Sequence, residues 1–330
     1  GGAFLHAGST YASHVARWNG IAWAPLVAGI DDSVNALVAM PNGDVIVGGW
    51  FTTFLGADAN RIARWDGAAW TPMGSGMNGA VHALLRRQNG DLVAAGEFTT
   101  AGGVPAARIA RWDGTAWSAL GTGTDGPVLA LTETSSGDLV VGGIFQLAGG
   151  VSASNIARWN GTAWSPIDSG FNGAVRALTE WSGNLVAGGD FSASGTVPIA
   201  RLAWRLGGSW SGLGAPNGPV YALSNSFASG LVVAGSFSTA GGVAAANIAQ
   251  FNGFSWFSLG SGTNGLIQAV GRLPDGDLVA VGGFSVAGGA TARSIARWNG
   301  ASWSTFGAGL ASGGSFGSQL ARTVAFTTNG

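Results

Sequence analysis

The chain has 330 residues, a formal net charge of −1 and no cysteine, which leaves no electrostatic footprint for nucleic acid or an anionic membrane and excludes disulfides, thiolate nucleophiles and thiolate metal sites. All 15 basic residues are arginine, so a lysine-based catalytic amine is excluded as well. Apolar residues make up 46% of the chain, with 15 Trp and 16 Phe as core material, yet no run reaches the roughly 20 apolar residues of a membrane helix.

The sequence opens at Gly1 rather than Met, without a signal peptide and in the middle of a repeat, as a processed or truncated piece of a longer protein would. The repeat itself is best seen in Ile156-Ala-Arg-Trp-Asn-Gly-Thr-Ala-Trp164, which is expected to form strand, two-residue turn, strand. Its second tryptophan recurs as Trp23, Trp70, Trp117, Trp164, Trp210, Trp256 and Trp303, at intervals of 46 or 47 residues. Nineteen residues before each lies a phenylalanine, from Phe4 and Phe51 to Phe284, and two residues before that a glycine. These seven tryptophans are expected to be core residues. The recurring glycine marks a close backbone approach in a strand.

One unit contains four short strands. Val175-Arg-Ala-Leu178 is the first and Asn184-Leu-Val-Ala-Gly-Gly-Asp-Phe191 the second, with the turn signal Ser182-Gly183 between them. The third is like Asn155-Ile-Ala-Arg-Trp159, and Asn160-Gly161 is expected to supply a type I′ turn into the fourth, Ala163-Trp-Ser-Pro-Ile167. Pro166 suits an outer edge strand, where a missing N–H costs nothing. Four strands per repeat of this length, closed into a ring, define an all-β fold: a seven-bladed β-propeller occupying residues 1–330 as a single unit. A linear β-solenoid is the rival, but its coils are shorter and lack paired hairpins.

Six complete units run from about 34 to 309, leaving a composite closing blade of residues 1–26 plus 323–330. Gly1-Gly2-Ala3-Phe4 matches the end of a second strand, and Thr323-Val324-Ala325-Phe326 matches the first strand Val175-Arg-Ala-Leu178. The counterpart of Asp138-Leu-Val-Val141 is missing from this blade; omitted native residues or a strand donated by a neighbouring molecule would fill the place.

Gly142-Gly143 closing a strand, followed by Trp164 after a hairpin, resembles the kelch repeat. Gly137-Asp-Leu-Val-Val-Gly-Gly-Ile-Phe145 followed by Ile156-Ala-Arg is still more similar to the bacterial delta-sixty type of repeat. The resemblance covers nearly the whole chain. It implies kelch-like four-stranded blades and a secreted or surface-exposed bacterial protein, with Trp159 where the kelch family tends to have Tyr. Neither family has one function, so none is inherited. With only Tyr11 and Tyr221, the chain lacks the ligands of a copper-radical oxidase on a kelch-like scaffold.

Chemistry-bearing residues are sparse. Arg17, Arg64, Arg111, Arg158 and Arg297 recur before a tryptophan and are expected to pair with an Asp or stack on a ring inside the blade. The fifth copy inverts the order to Trp204-Arg205, marking an irregular sector. His6 and His14 share a loop and could meet a metal with Asp31 or Asp32, but two histidines are weak grounds for a site. Glu133 and Glu180 fall a blade apart, too far for a carboxylate pair. No catalytic residues, no metal site and no cofactor are therefore expected, nor membrane insertion.

What remains is surface. Trp181, Leu206 and Phe254 are bulky groups at turn positions of two consecutive units and form a candidate interface. The Gly/Ser-rich stretch from Leu310 to Ala321 is a candidate binding loop with Ser312, Ser315, Phe316 and Gln319. The expected function is that of a non-enzymatic structural or interaction protein, extracellular or at the cell surface, which self-assembles through faces or edges as a homo-oligomer or a fibre or matrix homopolymer. The alternative is a glycan-binding, lectin-like module. Exposure discriminates: a lectin requires repeated, exposed tryptophans beside Asp or Asn, self-assembly buried ones.

Overall fold

The computed structural model describes residues 1–26, 29–225, 230–311 and 321–327 and contains strands, turns and bends but no helix among them. The chain is a seven-bladed β-propeller. Blade 1 consists of Val34–Ala39, Val45–Gly49, Ile62–Trp65 and Trp70–Pro72, hydrogen-bonded in that order as one antiparallel sheet. Blades 2 to 6 repeat it, beginning with Val81–Arg86, Val128–Glu133, Val175–Trp181, Val220–Asn225 and Ile267–Arg272. The first strands of successive blades lie against one another around the axis, and the fourth strands form the outer edge. The core is layered between blades, as seven apolar clusters each shared by two neighbours.

Each of the six complete sheets carries a β-bulge near the start of its first strand. In blade 3, Val128 pairs with Gly143 and Ala130 with Gly142, so Leu129 is the extra residue. The recurring glycine is explained here: a Cβ on Gly143 would collide with the carbonyl oxygen of Pro127, and the other blades show the same collision. The phenylalanine two residues on is buried in all seven copies.

The turns depart from expectation. The third-to-fourth connection is a four-residue loop such as Asp113–Ala116, since Trp112 pairs with Trp117. Only its glycine, Gly114, has positive φ, so the turn is not type I′. Asp113 instead accepts hydrogen bonds from the backbone N–H groups of Ala116 and Thr115, and these hold its carboxyl down at about 2. Two-residue turns with positive φ at both positions occur in blade 4, at Ser182-Gly183 and Gly207-Gly208. A further two-stranded hairpin, such as Leu147–Ala148 with Val151–Ser152, lies between second and third strands. Its tip is Gly149-Gly150, both at positive φ, and the joint entering the blade bridges to it through Thr124 and Ala148.

The fourth-strand tryptophans fasten blade to blade. The indole N–H of Trp164 donates to the Leu120 carbonyl at 2.7 Å, in the joint that leaves the preceding blade. Trp70, Trp117, Trp256 and Trp303 do the same to Leu26, Met73, Leu213 and Leu259. Trp23 donates to Phe306 across the chain's closure, at 3.0 Å. Trp70, Trp117, Trp164 and Trp210 are buried, while Trp23, Trp256 and Trp303 are half-buried. Trp210 is the exception in bonding: its buried Nε1 has no partner, and Phe171 packs against its ring at 4.7 Å.

The two chain ends meet in the closing blade. Gly2 bridges antiparallel to Ala321, Gly1 N donates to Thr323 O at 2.9 Å, and Thr323 N returns to Gly1 O at 3.2 Å. Ala16–Trp18 and Trp23–Pro25 supply the outer strands. The expected register is corrected by two residues. Ala321, not Thr323, occupies the place of Val175, because Gly2 corresponds to Gly189 and the bulge falls on Arg322. Among the described residues, no strand lies between 323–327 and Ala16–Trp18.

The latch makes a comparison possible. Replacing Trp164 by Phe removes one of the two donors to the Leu120 carbonyl, the other being Gly123 N–H at 3.2 Å, and should cost about 0.5–1.5 kcal/mol beyond the loss of ring size. The same change at Trp210 loses ring size alone. Urea unfolding of the two variants should therefore separate them, with Trp164→Phe the less stable; equal losses would show that the indole hydrogen bond does not hold the blades.

Candidate functional site

The bulge residue is different in each of the six complete blades, between a constant Val or Ile and a constant Ala; the far end of the first strand varies too, as at Val38, Leu85 and Thr132. The seven are Asn35, His82, Leu129, Arg176, Tyr221, Gln268 and, in the closing blade, Arg322. The residue before each in the six complete blades is Val or Ile, completely buried. The bulge residues are all half-buried. They stand where the innermost strands begin, at one mouth of the axial channel of the ring. A bulge re-aims a side chain out of the regular alternation, so each blade contributes one side chain here without disturbing its sheet.

Contacts run round this ring from blade to blade. Arg322 Nη1 donates to Asn35 Oδ1 at 2.9 Å, and Asn35 Nδ2 donates to the Val81 carbonyl at 3.3 Å, beside His82. The Arg176 guanidinium lies 5.7 Å from the centre of the Tyr221 ring. A second tier comes from the residue after each second strand, among them Trp50, Glu97, Ile144 and Asp190. Glu97 pairs with His82 at 3.0 Å, and Asp190 with Arg176 at 2.6 Å. Trp50 meets His82 in a T-shaped contact at 6.0 Å and remains 41% exposed, while Ile144 is 50% exposed. The mouth thus combines two aromatic rings, the Arg176–Asp190 ion pair, the His82–Glu97 hydrogen bond and two amides.

The candidate interface does not form as expected. Trp181 is 5% exposed. The tight Ser182-Gly183 turn lengthens the strand by one pair, Trp181 with Asn184, so the residue lies in a strand and not in a turn. Its ring packs on Trp204 at 6.0 Å and on Phe251 of blade 5 at 5.7 Å. Leu206 at 50% and Phe254 at 94% are exposed, and so is Ile21 at 86%, at the same hairpin position in the closing blade. Ser312, Ser315, Phe316 and Gln319 lie outside the described residues.

The remaining polar residues are tied into the scaffold. Arg64, Arg111 and Arg158 pair with Asp44, Asp91 and Asp138 of the adjacent strand, and Arg297 with Asp277 and Asp275. Glu133 brackets two blades by accepting from Arg87 and from Gln88 N, and Glu180 accepts from Ser135 N. His6 lies against Tyr11, whereas His14 is bonded through Nδ1 to Gly2 O, with burial pushing its pKa down. Asp31 accepts from Thr52 and Thr53. Among the described residues, no three His, Asp or Glu side chains come together as a metal site.

The inverted pair Trp204-Arg205 has a local cause. In regular units the first tryptophan of the motif covers a joint glycine; a Cβ on Gly121 would approach the Trp159 ring to 3.2 Å. Blade 4 has Arg205 at that place in the strand. The joint glycine is replaced by Asp168 at φ 53°, which grips Arg205 with two hydrogen bonds of 2.8 and 3.0 Å.

A family model described as a domain of unknown function (DUF5122) beta-propeller matches residues 41–65 and 87–112. No curated protein matches the sequence. Among solved structures, a catalytically inactive variant of virginiamycin B lyase from Staphylococcus aureus with quinupristin is similar over 82% of this chain and 83% of that one, at 11% identity and a TM-score of 0.52. The WD40 beta propeller domain of Doa1 is similar over 80% and 81%, at 13% identity and 0.51. The computationally designed Ika8 protein is similar over 86% and 74%, at 16% identity and 0.51. At these identities the likeness is one of fold: a β-propeller, with nothing that singles out the kelch type.

The Asp168–Arg205 exchange is testable as a cycle. Asp168→Gly and Arg205→Trp should each destabilise, and the double variant should lose less than their sum, with a coupling of about 0.5–3 kcal/mol. Strict additivity in thermal or urea unfolding would show that the two replacements are independent.

Proposed function

We propose that this chain is a non-enzymatic interaction module that binds a polar ligand at the axial mouth. The observation that carries the reading is the distribution of variation within the repeat. Positions that hold the blades together recur, while the bulge residues differ in every complete blade and present amide, imidazole, guanidinium and phenol groups toward one entrance. A structural role alone would favour one residue type at seven equivalent places. Fixed ion pairs such as Arg176–Asp190 preorganise the donors and acceptors, which lowers the ordering cost of binding. Crystals soaked in small polar fragments should show density concentrated at Trp50, Arg176 and Tyr221. Fragments that cluster elsewhere and leave the mouth empty would overturn the reading.

Exposed hairpin tips favour a second reading, self-association of an extracellular or cell-surface subunit into an oligomer, fibre or matrix. Phe254 is 94% exposed and Leu206 is 50% exposed in neighbouring blades. Large apolar groups held out by turns are candidates for contact with another copy. Changing both Leu206 and Phe254 to Ser should then lower the sedimentation coefficient at high concentration without changing the melting temperature. The same sedimentation before and after the change would remove this surface from consideration.

A further inference from the structure

We infer that the ligand class of the axial mouth is a neutral saccharide; this rests on the reading that the mouth is the binding surface. Charge comes first. The groups that face the entrance are the cations Arg176 and Arg322 and the anions Asp190 and Glu97, with His82 beside Glu97. Two arginines stand against two carboxylates, Arg176 paired with Asp190 and Arg322 bonded to the Asn35 amide, so the mouth offers no large net charge to a phosphate, a nucleic acid or a polycation.

Shape and chemistry come next. Trp50 presents an exposed indole, 41% accessible, steadied by a T-shaped contact with His82. Tyr221 presents a phenol ring steadied by the Arg176 guanidinium. A sugar ring has apolar C–H faces that stack on aromatic rings, which suits such platforms. Its edge carries hydroxyls that are both donors and acceptors. They match planar groups fixed in place: the Arg176–Asp190 pair, the His82–Glu97 pair and the Asn35 amide. Planar, mutually braced side chains cost little entropy to order when they bind hydroxyls. An apolar ligand would remove water from these groups without offering a partner to their remaining donors and acceptors.

The glycan expectation drawn from sequence placed sugars on the recurring tryptophans. Those seven are buried or half-buried, and six are bonded through the indole N–H to the neighbouring blade, so they are unavailable as repeated sites. The mouth is a single site of a different composition, on the axis.

The test uses the 330-residue chain with cellohexaose, maltohexaose and xylohexaose, followed by calorimetry and by intrinsic tryptophan fluorescence. At least one should bind, and Trp50→Ala and Asp190→Asn should each weaken it by about tenfold or more. Phe254→Ser should bind as the parent does. Circular dichroism and melting temperature establish that each variant is folded, and Asp190→Asn keeps the side-chain size in case Trp50→Ala does not fold. Binding that survives both mouth variants places the sugar elsewhere and overturns the inference. No binding of any of the three sugars, with polar fragments still found at Trp50 and Tyr221, overturns the saccharide class while the mouth stands. No binding of sugars or fragments there removes both.

Discussion

Each blade of this ring but one is fastened to the one before it by an indole N–H on its outermost strand. A propeller is open to shear, since its sheets share no strand-to-strand hydrogen-bond ladder and meet mainly through side-chain packing. The donated hydrogen bond from Trp164 to Leu120 O, and its five counterparts, adds direction to that packing. The same bond from Trp23 to Phe306 joins residues 283 positions apart in sequence, so closure uses the contact already present at the other latched junctions. The acceptor is held ready by the joint itself: the carbonyls of Met73, Leu120, Leu259 and Phe306 also accept from the backbone N–H of a glycine three residues on, so the indole ties the next blade to a turn that is already formed. Tryptophan meets both needs at once, with a large apolar body for the interblade layer and a donor at its edge.

A second constraint lies at the inner end of the blade. The bulge brings the first-strand backbone against the second strand, and only glycine fits at Gly143 and its equivalents. In return one residue per blade is released from the alternation of the strand. The flanking valine stays buried and invariant across the complete blades apart from one isoleucine, while the released residue is free to differ. The fold thereby separates residues that must repeat from residues that need not. The candidate site is the set of the latter, and its position follows from the bulge rather than from any loop.

Much of this was legible in the sequence. The period, the four strands, the recurring Gly, Phe and Trp, and the Arg–Asp pairing inside the blade all follow from residues that repeat. What was not legible depends on features without a composition signal. A bulge leaves no mark in a pattern of alternating residues, so the closing register was placed two residues late at Thr323. The extra hairpins carried a signal in Gly102-Gly103 and Gly149-Gly150, both tips at positive φ. Asn-Gly and Asp-Gly suggested type I′ turns, but the loops are longer and the Asp or Asn side chain caps them instead. The ring at the mouth could have been found by asking which variable position is flanked by constant ones: Asn35, His82, Leu129, Arg176, Tyr221 and Gln268 sit between a constant Val or Ile and a constant Ala.

Blade 4 shows how such an array absorbs a local change. Its tight turn at Ser182-Gly183 turns Trp181 from a surface group into a strand residue, whose ring occupies space beside Trp204 and Phe251. Trp204 is there because the Arg-Trp order is inverted, and a one-residue exchange sends the two side chains to opposite faces. The inversion in turn puts Arg205 over a joint where glycine normally lies under an indole, and Asp168 supplies the partner. The bulk lost at one face is regained at the other, and an ion pair takes the place of an aromatic contact. One junction nevertheless lacks the latch, since Trp210 has no acceptor, and there Phe171 stacks on Phe191 at 4.1 Å and packs against Trp210. Apolar area substitutes for a directional bond. A ring of independent interblade layers tolerates this because each layer is shared by only two blades, so the compensation has to succeed at one junction and nowhere else.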